Sequence, residues 1–448
     1  MSLRPRTTIA ATAAGAVLLL ALAGCTASGS SSGDDSGPVT LQFWHEMSGP
    51  AATELDALVS QFNSEHDGKI TVESSFQGSY ADAQTKYTAA VQSGTTPDVL
   101  MMNDISTGFM ADSKKTVPLS TFTASDTSFS LDSFPPAVSA YYGDGAGGLA
   151  AMPFAVSQPV MYLDRDLVTR SGLNPDSPPR TLAEVASWAE KIHAATGASG
   201  LTMNMADSWM IEQMSAAGGV DFCTPDNGRG SDRVTGLQLT SPTQVDFMQR
   251  LQKLFQDGSM LNPGTDNSAM VSAFASGKVG IMLTSTGAYT TADPKKTAST
   301  VAAFPSTADS DDAGVVIGGN ALWISGDGHS DAQQRAAYAF VSFLHSAEVQ
   351  AAWANATGYL ASNTGAASTT TGAASLADPN VRAMADQLAN TPASNAAAGC
   401  RTGAFPSLRS TVIGAFTQVA EGADVTSTMS DAETKAASQI SAYNAAAG

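Results

Sequence analysis

Residue patterns that could support catalysis are few in this 448-residue chain. The run Gly143–Gly148 (GDGAGG) has the spacing of a dinucleotide-binding loop, but a strand-like segment follows it where that loop must open a helix. His45-Glu46 lacks the second histidine, four residues on, that would complete a zinc-binding helix. The sequence contains no Walker phosphate loop, no Gly-x-Ser-x-Gly nucleophile turn and no complete EF-hand loop. We therefore expect a protein that is not an enzyme and that uses neither a metal nor a cofactor.

One cysteine lies where a lipid could be attached. Two arginines precede an apolar run at residues 13–23, which is too short for a membrane-spanning helix of about 20 residues. A basic segment, an apolar segment and small residues, in that order, are typical of a cleavable signal peptide. The sequence Leu22–Cys25 (LAGC) resembles the bacterial lipobox. We predict a signal peptide over residues 1–24 and lipidation of Cys25; the alternative is an ordinary signal peptide with an incidental cysteine.

The segment after this cysteine has the composition of a tether. Residues 25–38 are rich in serine, glycine and aspartate, and such a segment cannot form a core. No later stretch reaches 18 consecutive apolar residues. The sequence therefore predicts a body held by two acyl chains at the outer face of a bacterial cell membrane. The net charge of −19 argues against nucleic acid or an anionic membrane surface as a partner.

Two cysteines remain after Cys25, namely Cys223 and Cys400. In an oxidising compartment outside the cytoplasm, two such residues can form one disulfide. Two separate buried thiols are the alternative, and the sequence leaves both open.

The segment from residue 39 to residue 106 alternates between strand and helix patterns. Period-two or wholly apolar runs predict strands, and apolar residues at helical spacing lie between them. The strands are predicted at 39–43, 70–72 and 97–102. This order opens a doubly wound α/β domain, in which ligands bind beyond the carboxyl ends of the strands. The candidate binding segments are therefore 44–49, 77–80 and 103–106.

A family resemblance rests on several short segments in a shared order between about residues 41 and 445. They are FWHEMSG at 43–49, GSY at 78–80, SAYYG at 139–143, PFAVSQP at 153–159, IGGNALW at 317–323, TGYL at 357–360 and RTGAFP at 401–406. With them the chain resembles the extracellular solute-binding proteins of ABC importers, and within these the glycerol-3-phosphate- and glycerophosphodiester-binding subfamily. The resemblance implies a monomer with a two-lobed, type II periplasmic-binding-protein-like α/β fold, a hinge and an interlobe ligand cleft.

The resemblance also implies where the chain passes between the lobes. The hinge crossings are expected near 152–155, 281–284 and 326–330. The first lobe would then contain 39–152 plus 283–328. The second lobe would contain 153–282 plus 329–448.

Carried over position by position, the ligand contacts of the family fall on eight residues of this chain. They are Tyr80, Asp104, Ser157, Trp209, Ser285, Gly319, Tyr359 and Arg401. Arg401 would grip phosphate oxygens as a planar charged fork. The serine and tyrosine hydroxyls and the Gly319 amide would donate to the same oxygens, and Asp104 would accept from glycerol hydroxyls.

Each of these residues also has a structural reading. Trp209 and Tyr359 could be core aromatics, Ser157 and Ser285 turn hydroxyls, Asp104 a helix cap and Arg401 a surface cation. The strand-end rule supports Tyr80 and Asp104 independently of the resemblance.

The function that the resemblance implies is capture of a glycerophosphodiester, such as glycerophosphocholine, or of glycerol-3-phosphate, followed by delivery to ABC permease subunits. Asp104 is shorter than the acid of the better-known glycerol-3-phosphate binders, and Ala217 is smaller than the aromatic residue found near this position in them. The shorter Asp104 would hold the glycerol end less directly, and the smaller side chain at Ala217 would leave room for a head group beyond the phosphate. The first alternative is a sugar-binding protein of a carbohydrate importer, with Trp209, Tyr80 and Tyr359 as stacking surfaces. A secreted hydrolase is the second alternative, and it has no motif in its favour.

Overall fold

The computed structural model describes residues 37–205, 209–264 and 266–447. The predicted signal peptide, the lipidation site Cys25 and the predicted tether up to residue 36 lie outside the described residues. Among the helices in the described ranges, none combines the length and the apolar character needed to cross a membrane.

Thirteen strands are found in the described chain. They are β1 (Val39–His45), β2 (Ile70–Phe76), β3 (Val99–Asn103), β4 (Thr116–Val117), β5 (Met152–Ser157), β6 (Pro159–Asp164), β7 (Ser199–Met203), β8 (Cys223–Thr224), β9 (Gly236–Leu237), β10 (Val279–Ser285), β11 (Ser299–Ala303), β12 (Gly318–Ser325) and β13 (Leu360–Ala361).

Eighteen α-helices connect and cover these strands. They are α1 (Gly49–Glu65), α2 (Tyr80–Ser93), α3 (Thr107–Ser113), α4 (Ser120–Thr123), α5 (Pro136–Tyr141), α6 (Arg165–Arg170), α7 (Leu182–Thr196), α8 (Trp209–Ala216), α9 (Pro242–Gln256), α10 (Asn267–Ala275), α11 (Tyr289–Ala292), α12 (Asp331–His345), α13 (Ala347–Thr357), α14 (Thr370–Ser375), α15 (Pro379–Asn390), α16 (Asn395–Ala398), α17 (Phe405–Ala420) and α18 (Val425–Ala447).

The first lobe is built on a seven-stranded sheet with the order β13-β5-β12-β3-β1-β2, in which β4 also pairs with β12. Strands β2 and β3 both run parallel to β1, whereas β12 runs antiparallel to β3 and to β5. The predicted strand-helix-strand-helix-strand opening is therefore present. Its parallel strands end at one edge of the sheet, at His45, Phe76 and Asn103.

The second lobe is built on a four-stranded sheet with the order β11-β6-β10-β7. Strand β10 is central: it runs antiparallel to β6 and parallel to β7. One face of this sheet shares a core with helices α7, α9, α17 and α18. A hairpin of β8 and β9 is separate from both large sheets.

The chain passes between the two sheets at three places. Strands β5 and β6 are separated only by the buried Gln158, the second passage lies between Ala303 and Gly318, and the third follows Ala361. Helix α15 then packs on β11, where the Asn380 side chain accepts a 2.9 Å hydrogen bond from the Val301 amide.

These passages correct the crossings implied by the resemblance. Residues 283–303 belong to the second lobe, because β10 and β11 pair with β6. Residues 329–361 belong to the first lobe, because α12 and α13 bury Phe340 and Trp353 in the core of the first sheet and β13 pairs with β5. Both segments carry the apolar residues that a strand or helix needs in order to pack on either sheet. Their sequence pattern therefore does not indicate which sheet they join.

Candidate functional site

The carboxyl ends of β1, β2 and β3 bring three predicted binding segments to one edge of the first sheet. Glu46 follows β1, Asp104 follows β3, and Tyr80 is the first residue of α2. Ser79 fixes the start of α2, because its hydroxyl accepts from the Asp82 amide and the Asp82 carboxylate accepts from the Ser79 amide at 2.9 Å. The local capping therefore holds Tyr80 beside the strand ends.

Tyr80 and Tyr359 meet at this edge although they are distant in sequence. Tyr80 is 41% exposed, and its hydroxyl lies against Tyr359. The neighbouring Tyr359 and burial hold the pKa of Tyr80 well above its usual value, and burial likewise raises the pKa of Tyr359. Asn320 of β12 lies beside the Tyr80 hydroxyl, close enough to oppose this rise in the pKa. Tyr359 also stacks on Trp353, with ring centroids 5.8 Å apart.

Polar atoms at this edge are left without partners inside the described part of the protein. Neither polar atom of the buried Asn320 amide has a hydrogen bond of normal geometry there, and the same holds for the buried hydroxyl of Tyr142. Glu46 is 8% exposed, and both of its carboxyl oxygens lack a partner among the described residues. Buried polar groups are normally hydrogen-bonded, so this concentration is typical of a site that binds a polar ligand.

Asp104 faces a cation from the other lobe. Its carboxylate Oδ2 lies 3.9 Å from Nη2 of Arg409 on α17, and both side chains are 14% exposed. The Arg409 guanidinium also lies 5.6 Å from the centre of the Phe405 ring. The Asp104 carbonyl accepts a 3.0 Å hydrogen bond from the Tyr141 hydroxyl. Arg409 was not found by the sequence reasoning.

Ser157, Trp209 and the start of β12 form a second tight contact, where β5 ends. A Cβ on Gly318 would lie 3.1 Å from both the Ser157 hydroxyl and Cζ2 of Trp209. Gly319 has φ +115°, and a Cβ there would lie 1.7 Å from the Ala155 carbonyl oxygen. Only glycine fits that backbone, so the structure gives Gly319 a structural requirement beside its predicted ligand role.

Ser285 is placed differently. Its hydroxyl accepts a 3.2 Å hydrogen bond from the Gly287 amide and so caps the turn after β10. Its carbonyl accepts from the Tyr162 hydroxyl at 2.9 Å. The contacts found in the described chain do not join Ser285 to the other predicted ligand residues.

Arg401 lies outside the group formed by Tyr80, Asp104 and Tyr359. Its guanidinium donates to the Gly143 carbonyl at 3.1 Å, and its amide donates to the Asn227 carbonyl at 2.8 Å. It lines a polar cavity of about 160 Å³ with Asp112 and Arg233. The preceding residue, Cys400, forms a disulfide with Cys223, with 5.7 Å between the Cα atoms.

Next to this loop, Glu212 is buried and Arg229 is partly buried, and the sequence patterns indicated neither of them. Arg229 donates to the carbonyls of Gly399 at 2.9 Å, of Tyr141 at 2.8 Å and of Ala398, and burial lowers its pKa to about 10. Glu212 accepts a 2.8 Å hydrogen bond from the Cys400 amide, while burial raises its pKa to about 7. Both side chains therefore hydrogen-bond the backbone of the protein.

Metal-ligand clusters and a second cavity were the remaining candidates for a site. The described residues contain no group of histidine, cysteine, aspartate and glutamate side chains that could hold a metal ion. A cavity of about 650 Å³ lies where α13, α14 and α15 approach one another. Its walls are mainly apolar, and Tyr359 is the one residue of the predicted ligand set that lines it.

Comparison with known proteins identifies the class of this two-lobed chain. The family model for bacterial extracellular solute-binding proteins matches residues 57–383. The chain therefore belongs to the bacterial extracellular solute-binding protein family.

Among curated relatives, the chain is similar to two glycerol-3-phosphate-binding proteins. The sn-glycerol-3-phosphate-binding periplasmic protein UgpB of Yersinia enterocolitica is 31% identical over 382 residues, which cover 83% of this chain and 85% of the relative. UgpB of Escherichia coli K12 is 30% identical, with the same coverage.

Solved structures share the fold. UgpB from Mycobacterium tuberculosis in complex with glycerophosphocholine superposes with a TM-score of 0.73 at 23% identity, covering 91% of this chain and 99% of that chain. The sugar-binding protein MalE from Xanthomonas citri superposes with a TM-score of 0.75 at 15% identity, covering 90% of this chain and 98% of that chain. The predicted two-lobed α/β fold is thereby confirmed.

Proposed function

We propose that this protein is the substrate-binding component of an ABC importer that captures a glycerophosphodiester or glycerol-3-phosphate between its lobes. It does no covalent chemistry; binding and lobe closure present the ligand to the permease. The observation that carries the proposal is the placement of Arg409 of the second lobe against Asp104 of the first, beside Tyr80. A cation and an acid at an interlobe edge match the two ends of a glycerol phosphate.

The phosphate end is assigned to Arg409. A guanidinium can bind two oxygens of a phosphate at once, and Arg409 is shielded from bulk water on its helix. Arg401, which the resemblance suggested for this role, already donates to the Gly143 carbonyl. Ser157 and Trp209 lie together at the end of β5 and would supply a hydroxyl donor and a flat wall.

The glycerol end is assigned to the first lobe. Asp104 would accept from a glycerol hydroxyl, and Tyr80 with Tyr359 would enclose the carbon skeleton. The curated relatives, at 30–31% identity over most of the chain, support this ligand class.

The anchoring proposal rests on the sequence of the N-terminal segment. We infer that Cys25 carries lipid and holds the protein at the outer face of the membrane. A Cys25→Ala variant would then appear in the medium, whereas an equal amount left on the membrane would overturn the inference.

Calorimetric titration of the purified body, residues 38–448, tests the ligand class. Glycerophosphocholine and glycerol-3-phosphate are the ligands expected to bind, and maltose is the matched neutral probe. Binding of maltose with no response to either glycerol ester would replace this proposal by the sugar-binding alternative. Turnover of glycerophosphocholine during the titration would instead indicate a hydrolase.

A further inference from the structure

Glu46 is an acid that the proposed binding residues do not account for. It follows β1 directly, at the sheet edge where Tyr80 and Asp104 also lie. The residue is more than nine-tenths buried, and both carboxyl oxygens lack a hydrogen-bond partner within residues 37–205, 209–264 and 266–447.

The groups that face Glu46 come from several elements of the first lobe. Asp104 follows β3, Tyr80 opens α2 and Tyr359 precedes β13, and all three interact electrostatically with the Glu46 carboxyl. The adjacent His45 is buried on the same strand. Glu46 therefore points to the interlobe edge where the ligand is proposed to bind.

Burial and the neighbouring Asp104 raise the pKa of Glu46 to about 9. At neutral pH the group therefore keeps its proton and carries both an O–H donor and a carbonyl acceptor. An alcohol hydroxyl is also both a donor and an acceptor, so it can hydrogen-bond either atom of the protonated carboxyl. Asp104, when ionised, can only accept.

An unpartnered buried carboxyl lowers the stability of the folded protein, because it has lost water without gaining a partner. An apolar side chain of similar size would avoid that cost. Polar groups of this kind persist in proteins where a function requires them.

We propose that Glu46 is a further ligand-binding residue whose carboxyl group hydrogen-bonds a hydroxyl of the bound ligand, beside Asp104. The inference rests on the proposed function for the location of the site and names the part of the ligand, the glycerol hydroxyls, that this residue recognises. Glu46 would thus act on glycerophosphocholine and glycerol-3-phosphate alike, since both contain the glycerol unit.

Three forms of the protein test this inference by calorimetry with both ligands at pH 7: wild type, Glu46→Gln and Glu46→Leu. The glutamine retains a donor and an acceptor, so its affinities are expected to stay within about threefold of wild type. The leucine removes both and leaves a ligand hydroxyl unpaired, so affinity for both ligands is expected to fall about tenfold or more. The empty Glu46→Leu protein is expected to melt at a higher temperature than wild type.

Glu65→Leu, at the exposed end of α1, is the matched control and is expected to change neither property. Unchanged affinity in Glu46→Leu would overturn the inference. A lower melting temperature together with weaker binding would identify a structural acid instead. If Glu46→Gln binds glycerophosphocholine more weakly but glycerol-3-phosphate normally, an ionised Glu46 contacts the cationic head group. That result would overturn the assignment to the glycerol hydroxyls.

The proposed function and this inference fail separately. If wild type binds maltose and neither glycerol ester, the proposed function is wrong, and the three forms are compared with maltose, which also offers hydroxyls. If none of the three ligands binds, a melting temperature of Glu46→Leu at or below that of wild type overturns the inference.

Discussion

Two neighbouring regions of this protein use buried charge in different ways. In the region of the disulfide, Arg229 donates to three backbone carbonyls and Glu212 accepts from the Cys400 amide. Arg401, in the same region, donates to the Gly143 carbonyl. Each of these groups is matched by the backbone around it.

At the strand-end edge the arrangement differs. Glu46 and Asn320 are buried with polar atoms unmatched within the described residues, and the Asp104 carboxylate lies opposite the Arg409 guanidinium of the other lobe. A charged side chain that hydrogen-bonds the backbone stabilises the fold of that segment. Polar groups that lie together between the lobes without such bonds are suited to binding a ligand. This contrast leads us to prefer Arg409 over Arg401 as the anion-binding residue.

The largest effect is expected from the two arginines. Arg409→Ala should weaken binding of glycerophosphocholine by about 30-fold to several-thousand-fold, since loss of a buried charged partner typically costs 2–5 kcal/mol. Arg401→Ala should stay within about threefold, because an arginine that serves a backbone carbonyl leaves the phosphate contact intact. Calorimetry on both variants measures the difference, and Arg409→Lys should recover only part of the affinity.

The reverse order would restore the assignment suggested by the resemblance. If Arg401→Ala abolishes binding while Arg409→Ala does not, the comparison of the two regions is wrong for these arginines. The melting temperature of each empty variant is the control, because a globally destabilised protein would also bind poorly.

The next largest effect concerns the disulfide between Cys223 and Cys400. Replacing both cysteines by serine should lower the free energy of unfolding by about 2–4 kcal/mol, since the crosslink restricts the unfolded chain. Denaturant unfolding of the variant and of the oxidised wild type measures this loss. The affinity of the folded variant for the ligand should change little. If the free energy of ligand binding falls by more than the free energy of unfolding does, this region contacts the ligand.

Glu212 provides a test by pH. Its pKa is raised to about 7 by burial, above the usual value of 4.5, so the folded state binds a proton more tightly than the unfolded state. Its contribution to stability is therefore fully present below pH 4.5 and is lost as the pH rises through about 7. The loss should amount to about 3 kcal/mol at most.

The Glu212→Gln variant isolates this contribution. Its unfolding free energy, measured from pH 4.5 to 8, should lack the decline that wild type shows. If the two proteins show the same dependence on pH, the raised pKa of Glu212 is not part of the stability of this region.

The sequence predicted the opening strands of the first lobe because local patterns determine where those strands end. Alternating and wholly apolar runs give β1, β2 and β3, and the rule for parallel sheets then points to Tyr80 and Asp104. The same rule includes Glu46 in its candidate segment, but nothing in the sequence distinguishes this acid from a solvated one. Its burial without a partner is visible only in the folded protein, where Tyr359, far away in the chain, lies near it.

Arg409 could not be found from the sequence alone. It lies on α17 among the apolar residues that bury that helix, where a cation usually indicates the solvent-facing side. Only the contact between lobes places it against Asp104. The hinge positions were missed for a similar reason, since strand pairing between distant segments decides which sheet β10 and α12 belong to.

The smallest effect is expected from a further contact between the lobes. The Tyr443 hydroxyl on α18 donates a 3.0 Å hydrogen bond to the Asp112 carboxylate on α3, and Arg233 lies 3.8 Å from the same carboxylate. Asp112 and Arg233 line the same cavity as Arg401, so this contact belongs to the region around the disulfide.

Tyr443→Phe removes the hydroxyl and leaves the ring. A single hydrogen bond of this kind contributes about 0.5–1.5 kcal/mol, so the contact between α18 and α3 should be weakened by that amount. If this contact forms when the lobes close on the ligand, as the proposed function requires, apparent affinity should fall by about two- to tenfold, with the dissociation rate rising. Stopped-flow measurement of ligand release checks this. An unchanged release rate with a lower melting temperature would show that the contact stabilises the fold without affecting lobe closure. All the contacts around the disulfide would then stabilise the fold, and none would act on ligand release.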